Sequence, residues 1–397
     1  MARMTYTAHT ARIRLADYQV DDKLGFLPGT DPLRELPKEY GEWDEIGAVM
    51  PKHLVMGRGR DLLRNVPPLD TAALRTTAEL ERAMLLLSYF AHGYLNDTDP
   101  PAQILPANIA VPWHTVATRL GRPPILSYAS HQFHNWGRFD ASRPVELGNL
   151  TRLQDFLGGM DDDWFVMVHV AIEAAAAPGL RAMVQAQDAA LDGDDELLAE
   201  RLRHVVTSLG TMQRTLDRMP ERCDPYVYYH RVRRFLFGTR NNPAFPEGLV
   251  YEGVAAYGGE PQQFSGETGA QSAVIPFLAT ALGIKHQDDP LNDFMLSLRD
   301  YMPPGHRAFI EKVGPRADIR GAVLARRTPA ALDAYNECVA GLRDFHQLHL
   351  RYAAAYVHKQ GQQSASNSND TGTGGTPFMK YLKLHLDNIA AHTVETG

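Results

Sequence analysis

Cysteine is scarce in this chain: 397 residues contain two, Cys223 and Cys338. They lie far apart and fall in no CxxC or CxxCH pattern. That excludes a disulfide framework, a zinc ribbon and a thioether-linked cofactor, and points to a reducing, cytoplasmic setting. A basic excess is also missing, because 40 Lys and Arg stand against 47 Asp and Glu for a net charge of -7. No surface for nucleic acid or an anionic membrane is expected without one. Residues Met1 to Arg14 lack the apolar stretch of a signal peptide. The longest apolar run, Trp164 to Ala177, is interrupted by His169 and Glu173 and is too short to cross a bilayer. HExxH, GxSxG and P-loop motifs are absent, as is a GxGxxG preceding a helix, so the commonest hydrolase, nucleotide and zinc chemistries find no support.

What is present reads as helix. Hydrophobic residues make up 44% and charged residues 22%, ordinary values for a chain that buries a large core. Residues 70–94 carry apolar positions at helical spacing (Leu74, Leu80, Met84, Leu87, Phe90), with Asp70 or Thr71 available as N-cap. The same period or strong helix formers mark 149–157, 161–177, 194–219, 226–237, 268–282, 291–301, 328–359 and 377–391. Strands with a clear period of two are not evident. The expected class is all-α, with a small N-terminal domain over 1–105 and a large helical domain over 106–397. The polar stretch 360–371 runs into Gly372-Thr373-Gly374-Gly375-Thr376, so 360–376 reads as either a surface linker or a loop that closes over a site.

Three groups of residues could carry chemistry. On the helix 328–359, His346 and His349 share the face of Tyr335, Val339, Leu342 and Ala353. A buried imidazole needs a partner for each ring nitrogen, and either a metal or an ordinary core hydrogen bond satisfies one. His131, His134 and His169 sit in or beside apolar segments and have the same two readings. Arg231, Arg233 and Arg234 lie among Tyr226, Tyr228, Tyr229, Phe235 and Phe237. Such an arginine clamps a carboxylate beside aromatic rings, or else forms a solvated face with core aromatics behind it.

Six segments in order resemble the indoleamine 2,3-dioxygenase family of haem enzymes of tryptophan catabolism. They are LPANIAVPWHTVATRLGRPPILSYA (Leu105 to Ala129), NPAFPEGLVYEG (Asn242 to Gly253), GAQS (Gly269 to Ser272), RDYMPPGHRAF (Arg299 to Phe309), LRDFH (Leu342 to His346) and GTGGT (Gly372 to Thr376). The resemblance covers the chain from about residue 80 to its end and implies two helical domains enclosing haem b. It implies that His346 is the proximal iron ligand, with Arg343 one turn earlier near the haem edge and Thr268 and Gly269 lining the haem pocket. Ala279 stands where an acidic residue usually accompanies that arginine. On the distal side it implies a substrate pocket of Tyr128, His131, Phe165, Tyr228, Arg233 and Leu236. Arg233 would hold the substrate carboxylate, Phe165 and Tyr228 would cover the indole, and Thr373 would contact the amino-acid end.

His169 stands where animal members carry a small hydroxyl residue; in the sister family, tryptophan 2,3-dioxygenase, a distal histidine hydrogen-bonds the indole N–H. His131 and Gln132 likewise replace small or apolar residues. The expected activity is insertion of O2 across the C2–C3 bond of L-tryptophan or a related indole, giving N-formylkynurenine, with an external reductant for the iron. Two alternatives use the same fold: a haem enzyme that rearranges a substituted tryptophan, and a non-catalytic haem sensor.

Overall fold

A computed structural model describes residues 13–285, 290–363, 372–375 and 378–395. Helices carry it. The N-terminal part holds α1 (Gly41–Val55), α2 (Gly59–Arg64) and α3 (Thr77–Asn96), followed by α4 (Ala107–Leu120). The central pair is α5 (Met160–Asp192) and α6 (Asp195–Leu216), followed by the one-turn α7 (Pro225–Val227). Then come α8 (Val274–Ala281), α9 (Pro290–Ser297), α10 (Pro304–Ala308), α11 (Ile319–Arg326), α12 (Pro329–Ala353), α13 (Lys359–Gln363) and α14 (Phe378–Ala390). Strand pairing is slight: β1 (Ile104–Leu105) lies parallel to β4 (Val250–Tyr251), and β2 (Trp136–Arg138) antiparallel to β3 (Leu150–Arg152). The all-α expectation is met. Segment 149–157 is the exception, because it forms β3 rather than a helix. Its residues exchange ladder bonds with β2, and tertiary pairing overrides local propensity in so short a piece.

Helix α3 begins later than expected. Its N-cap is Thr76, in a capping box with Glu79, whereas Asp70 caps only the single turn Thr71–Ala73. From Leu80 to Leu95 every residue of α3 is buried, so this helix is core on all sides. Its charges are matched inside: Arg82 pairs with Asp44 at 2.7 Å, and Glu81 holds Arg122 in a bidentate ion pair.

Helix α5 has the length and composition of a membrane span, yet 61% of its apolar window is buried within the fold. It and α6 form a hairpin turned at Gly193, whose φ of 76° suits glycine. Gly179 lets the two backbones close, since a Cβ there would stand 2.7 Å from that of Ser208. The Ser208 hydroxyl donates to the Ala175 carbonyl at 2.7 Å, near Pro178, which has no N–H to give to the α5 ladder. On the other side of α6 packs α12, where the Cys338 thiol donates to the Leu202 carbonyl at 3.3 Å. One buried hydrophobic cluster runs from Leu15 to Val394 and spans both sides of residue 105. Helices α5, α6 and α12 thereby form the frame on which the site is hung.

Candidate active site

A cavity of two connected compartments opens between α5, α12 and the segments around 228–236 and 267–275. Counting the open solvent at their mouths, the first holds about 1350 Å³ of empty space and the second about 1240 Å³. They share His169, Leu216, Gly269, Ala270, Met295, His349 and His385.

The first compartment is walled chiefly by Ile172, Met212, Val274, Ile275, Met302 and Phe345, with His346 on its α12 side. His346 donates Nδ1–H to the Leu342 carbonyl one turn back, at 2.9 Å. That bond fixes the tautomer and leaves Nε2 as the lone-pair nitrogen, the form in which histidine ligates a metal. His349 lies one turn further. Protein surrounds it while its own ring is bare, because it faces the cavity, and burial pushes its pKa down to about 4. Among the described residues, Arg299 and Glu173 are the one arginine and the one carboxylate on this wall. Glu173 accepts from the Ser272 hydroxyl at 2.7 Å and the Tyr128 hydroxyl at 3.0 Å, both on Oε1. Burial outweighs those bonds and raises its pKa to about 7.

The second compartment is aromatic. Phe165 packs against His169 with ring centroids 4.4 Å apart and against Tyr228 at 4.9 Å. Tyr228 and Arg233 sit on a widened π turn, Tyr228–Val232, that tightens into a 3-10 turn, Arg233–Phe235. Asp224 caps its entry by accepting the Tyr226 and Val227 N–H groups. Arg233 is 1% exposed, with its guanidinium 4.3 Å from the Phe237 ring centroid and 5.1 Å from that of Tyr229. Those π faces support a cation whose charge burial disfavours. His169 uses the same device as His346: Nδ1–H donates to the carbonyl four residues back, Phe165, at 2.7 Å. Burial lowers its pKa, so the neutral ring keeps Nε2 as an acceptor.

The structure brings together Tyr128, Phe165, His169, Tyr228, Arg233, Thr268, Gly269, His346 and Thr373 on the walls of this cavity. It does not bring the other three. His131 is fully buried behind Phe165, at a centroid distance of 6.1 Å, and 3.8 Å from the Glu267 carboxylate. Leu236 is fully buried, and its carbonyl accepts from the Glu267 N–H at 3.1 Å. Arg343 turns outward, half exposed, and donates to Asp344 at 2.8 and 3.0 Å. The physical reason is local: Asp344 is the next residue and offers an exposed carboxylate, so the guanidinium pairs with it in water.

Part of the glycine turn is described, while residues 364–371 and 376 of the 360–376 loop lie outside the described residues. The turn is fastened down. The Thr373 hydroxyl donates to the Glu267 carbonyl, Gly238 N–H donates to the Thr373 carbonyl at 3.3 Å, and Asn241 donates to the Gly375 carbonyl at 3.1 Å.

Four contributors escaped the sequence reading. Gln271 accepts from Tyr128 N–H and donates to the Gly266 carbonyl, both at 2.9 Å, tying two wall segments together. His92 on α3 donates Nδ1–H to the Phe235 carbonyl at 2.7 Å and accepts from Leu126 N–H at 3.2 Å. Gly238 and Gly266 press backbone against backbone, so that a Cβ on either would run into the other's chain. Glu267 lines the second compartment. None of them carries a spacing or motif that marks it in the sequence.

The donor set bears on which cofactor fits. Among the described residues no three His, Cys, Asp or Glu side chains converge to hold a bare ion. An imidazole whose Nδ1–H is tied to a carbonyl (His346), on a mainly apolar wall with Arg299, fits a metal that brings its own equatorial ligands and carboxylates, as haem does.

The whole-chain comparisons agree. The family model described as indoleamine 2,3-dioxygenase matches residues 14–391, and the chain belongs to that family. It is similar to indoleamine 2,3-dioxygenase 2 of Homo sapiens, 34% identical with 94% of each chain covered. Similarity to indoleamine 2,3-dioxygenase 1 of Rattus norvegicus is also 34%, over 96% of each chain. A third relative is the 6-hydroxytryptophan 2,3-dioxygenase of Fusarium equiseti, 30% identical over 94% of this chain and 96% of that protein.

Proposed function

We propose that this protein is a haem-dependent 2,3-dioxygenase of L-tryptophan or a closely related indole, yielding N-formylkynurenine. The carrying observation is the opposition, across one cavity, of an imidazole with a fixed lone pair (His346) and an aromatic compartment holding a buried arginine (Arg233).

Haem b fits because attachment must be non-covalent: both cysteines are free and buried, away from the cavity walls. His346 Nε2 would ligate its iron, the apolar wall would cover the ring, and Arg299 suits its carboxylates. Bound haem supplies the redox-active iron that lets dioxygen react with an indole, after reduction by an external donor.

The chain's own part is positioning. Arg233 holds the substrate carboxylate, and its burial makes that charge-assisted contact strong. Phe165 and Tyr228 cover the two ends of the indole ring. Neutral His169 accepts the indole N–H on Nε2, which orients the C2–C3 edge. Residues 372–375, docked on Glu267 and Gly238, exclude water from the amino-acid end. The two buried thiols suit a reducing, cytoplasmic setting.

The test is the absorption spectrum of the reconstituted ferrous protein with and without L-tryptophan, followed by turnover under labelled dioxygen. The expected result is a Soret band perturbed by tryptophan and a product that gains both labelled atoms. A protein that takes up no haem, or a product without added oxygen, overturns the reading.

A further inference from the structure

Among its described lining residues the second compartment holds one guanidinium, Arg233, and one carboxyl side chain, Glu267; the rest are aromatic, aliphatic, hydroxyl, glycine or histidine. Glu267 is 3% exposed, and a buried carboxylate is costly unless a partner offsets its lost hydration.

Its side-chain partners among the described residues are weak ones. Gln132 Nε2 stands at 3.5 Å and His131 Nδ1 at 3.8 Å, at and beyond the reach of a good hydrogen bond. The backbone of Glu267 is pinned on both sides, its N–H donating to the Leu236 carbonyl and its carbonyl accepting from Thr373. The side chain therefore leaves the chain between the turn that carries Arg233 and the glycine turn that carries Thr373. Its charge is felt by both Tyr228 and His169, which line the same space.

A zwitterion fits this pattern, because its two charges are neighbours and cancel as those of Arg233 and Glu267 do. With the carboxylate on Arg233 and the ring N–H on His169, the ammonium is the one polar group of an aromatic α-amino acid still to be matched. Resting on the proposed indole-dioxygenase activity, we propose that Glu267 binds the α-ammonium group of the substrate and so makes the pocket selective for free aromatic α-amino acids.

The experiment is spectral titration of the haem-loaded protein with L-tryptophan and with indole-3-propionate, which lacks the ammonium, for wild type, Glu267→Gln and Glu267→Asp. Wild type should bind tryptophan at least tenfold more tightly than indole-3-propionate. Glu267→Gln should remove that preference by weakening tryptophan alone, and Glu267→Asp should keep part of it. Equal weakening of both ligands, or of neither, overturns the assignment, as does a wild type without preference. The last two comparisons need only correctly folded protein, so a misfolded variant does not shelter the idea. If wild type binds neither ligand, the underlying dioxygenase reading falls, and the role of Glu267 falls with it. If it binds both equally and turns tryptophan over, only the role of Glu267 falls.

Discussion

The Tyr128 hydroxyl donates to Glu173 Oε1 at 3.0 Å, deep beside the cavity and one helical turn from His169. Ser272 donates to the same oxygen, while Oε2 is buried without a hydrogen-bond partner. A carboxyl so placed prefers to keep its proton, and its pKa rises from 4.5 to about 7. The folded state then binds more protons than the unfolded state between those values. Stability from this group is greatest below pH 4.5 and falls as pH rises toward 7. Glu173→Gln keeps an acceptor for both hydroxyls and cannot ionise. Its stability relative to wild type should grow by about 2–3 kcal/mol between pH 5 and pH 8. Denaturant unfolding at the two pH values measures this, and a constant difference contradicts it.

His92 gives the opposite slope. It is neutral, with Nδ1–H on Phe235 and Nε2 on Leu126, and burial lowers its pKa to about 4 from 6.5. Protonation would set two N–H groups against each other. Its contribution is complete above pH 6.5 and is lost as pH falls toward 4, about 2 kcal/mol of it by pH 5. His92→Asn should start less stable at pH 7 and lose less between pH 7 and pH 5. Parallel losses in the two proteins would count against this.

Arg233→Ala should lower kcat/KM for L-tryptophan by a factor worth about 2–4 kcal/mol, the scale of a buried charge-assisted contact removed from one side. Haem content should stay unchanged, since Arg233 lines only the second compartment. An unaltered specificity constant would remove Arg233 from the site.

The two histidines that share one hydrogen-bonding device should separate in their effects. His346→Ala should abolish stable haem retention after gel filtration, read as loss of the Soret band. His169→Gln should retain haem and weaken tryptophan binding. Equal haem loss in both variants would mean that the ligand assignment is incomplete.

Either glycine of the pair at 238 and 266 should reject a methyl group. Gly238→Ala or Gly266→Ala forces backbone apart and should cost more than about 2 kcal/mol of stability, with KM raised because Arg233 and Glu267 shift. Gly41→Ala, where a Cβ would meet nothing, serves as the control.

How much of this was legible beforehand depends on the kind of signal each residue leaves. Helices α5, α6 and α12 follow from apolar periodicity, because one-sided burial on a helix repeats every 3.6 residues; α3 carries apolar residues at the same spacing but is buried on all sides. The pocket residues on the cavity wall came from family resemblance; spacing alone left His346 as easily a core residue. Arg343 was misplaced because a helix fixes direction only to within a turn, and Asp344 decides where that guanidinium goes. His131 lies behind the wall because its turn, Ala129–Phe133, is buried throughout, and only Tyr128 before it reaches the cavity. Glu267 was missed because a lone carboxylate between glycine and threonine looks like a surface turn. Its burial comes from strands of chain about 30 and 106 residues away, at Leu236 and Thr373.

The contact between Gly238 and Gly266 carries a consequence for descent as well as for stability. Side chains around the pocket face open space and can be exchanged one at a time. The two glycines are different in kind, because each is held by the other's main chain and no single substitution relieves both. A lineage of such proteins can therefore change what it recognises while remaining unable to change the spacing between its cationic and anionic anchors.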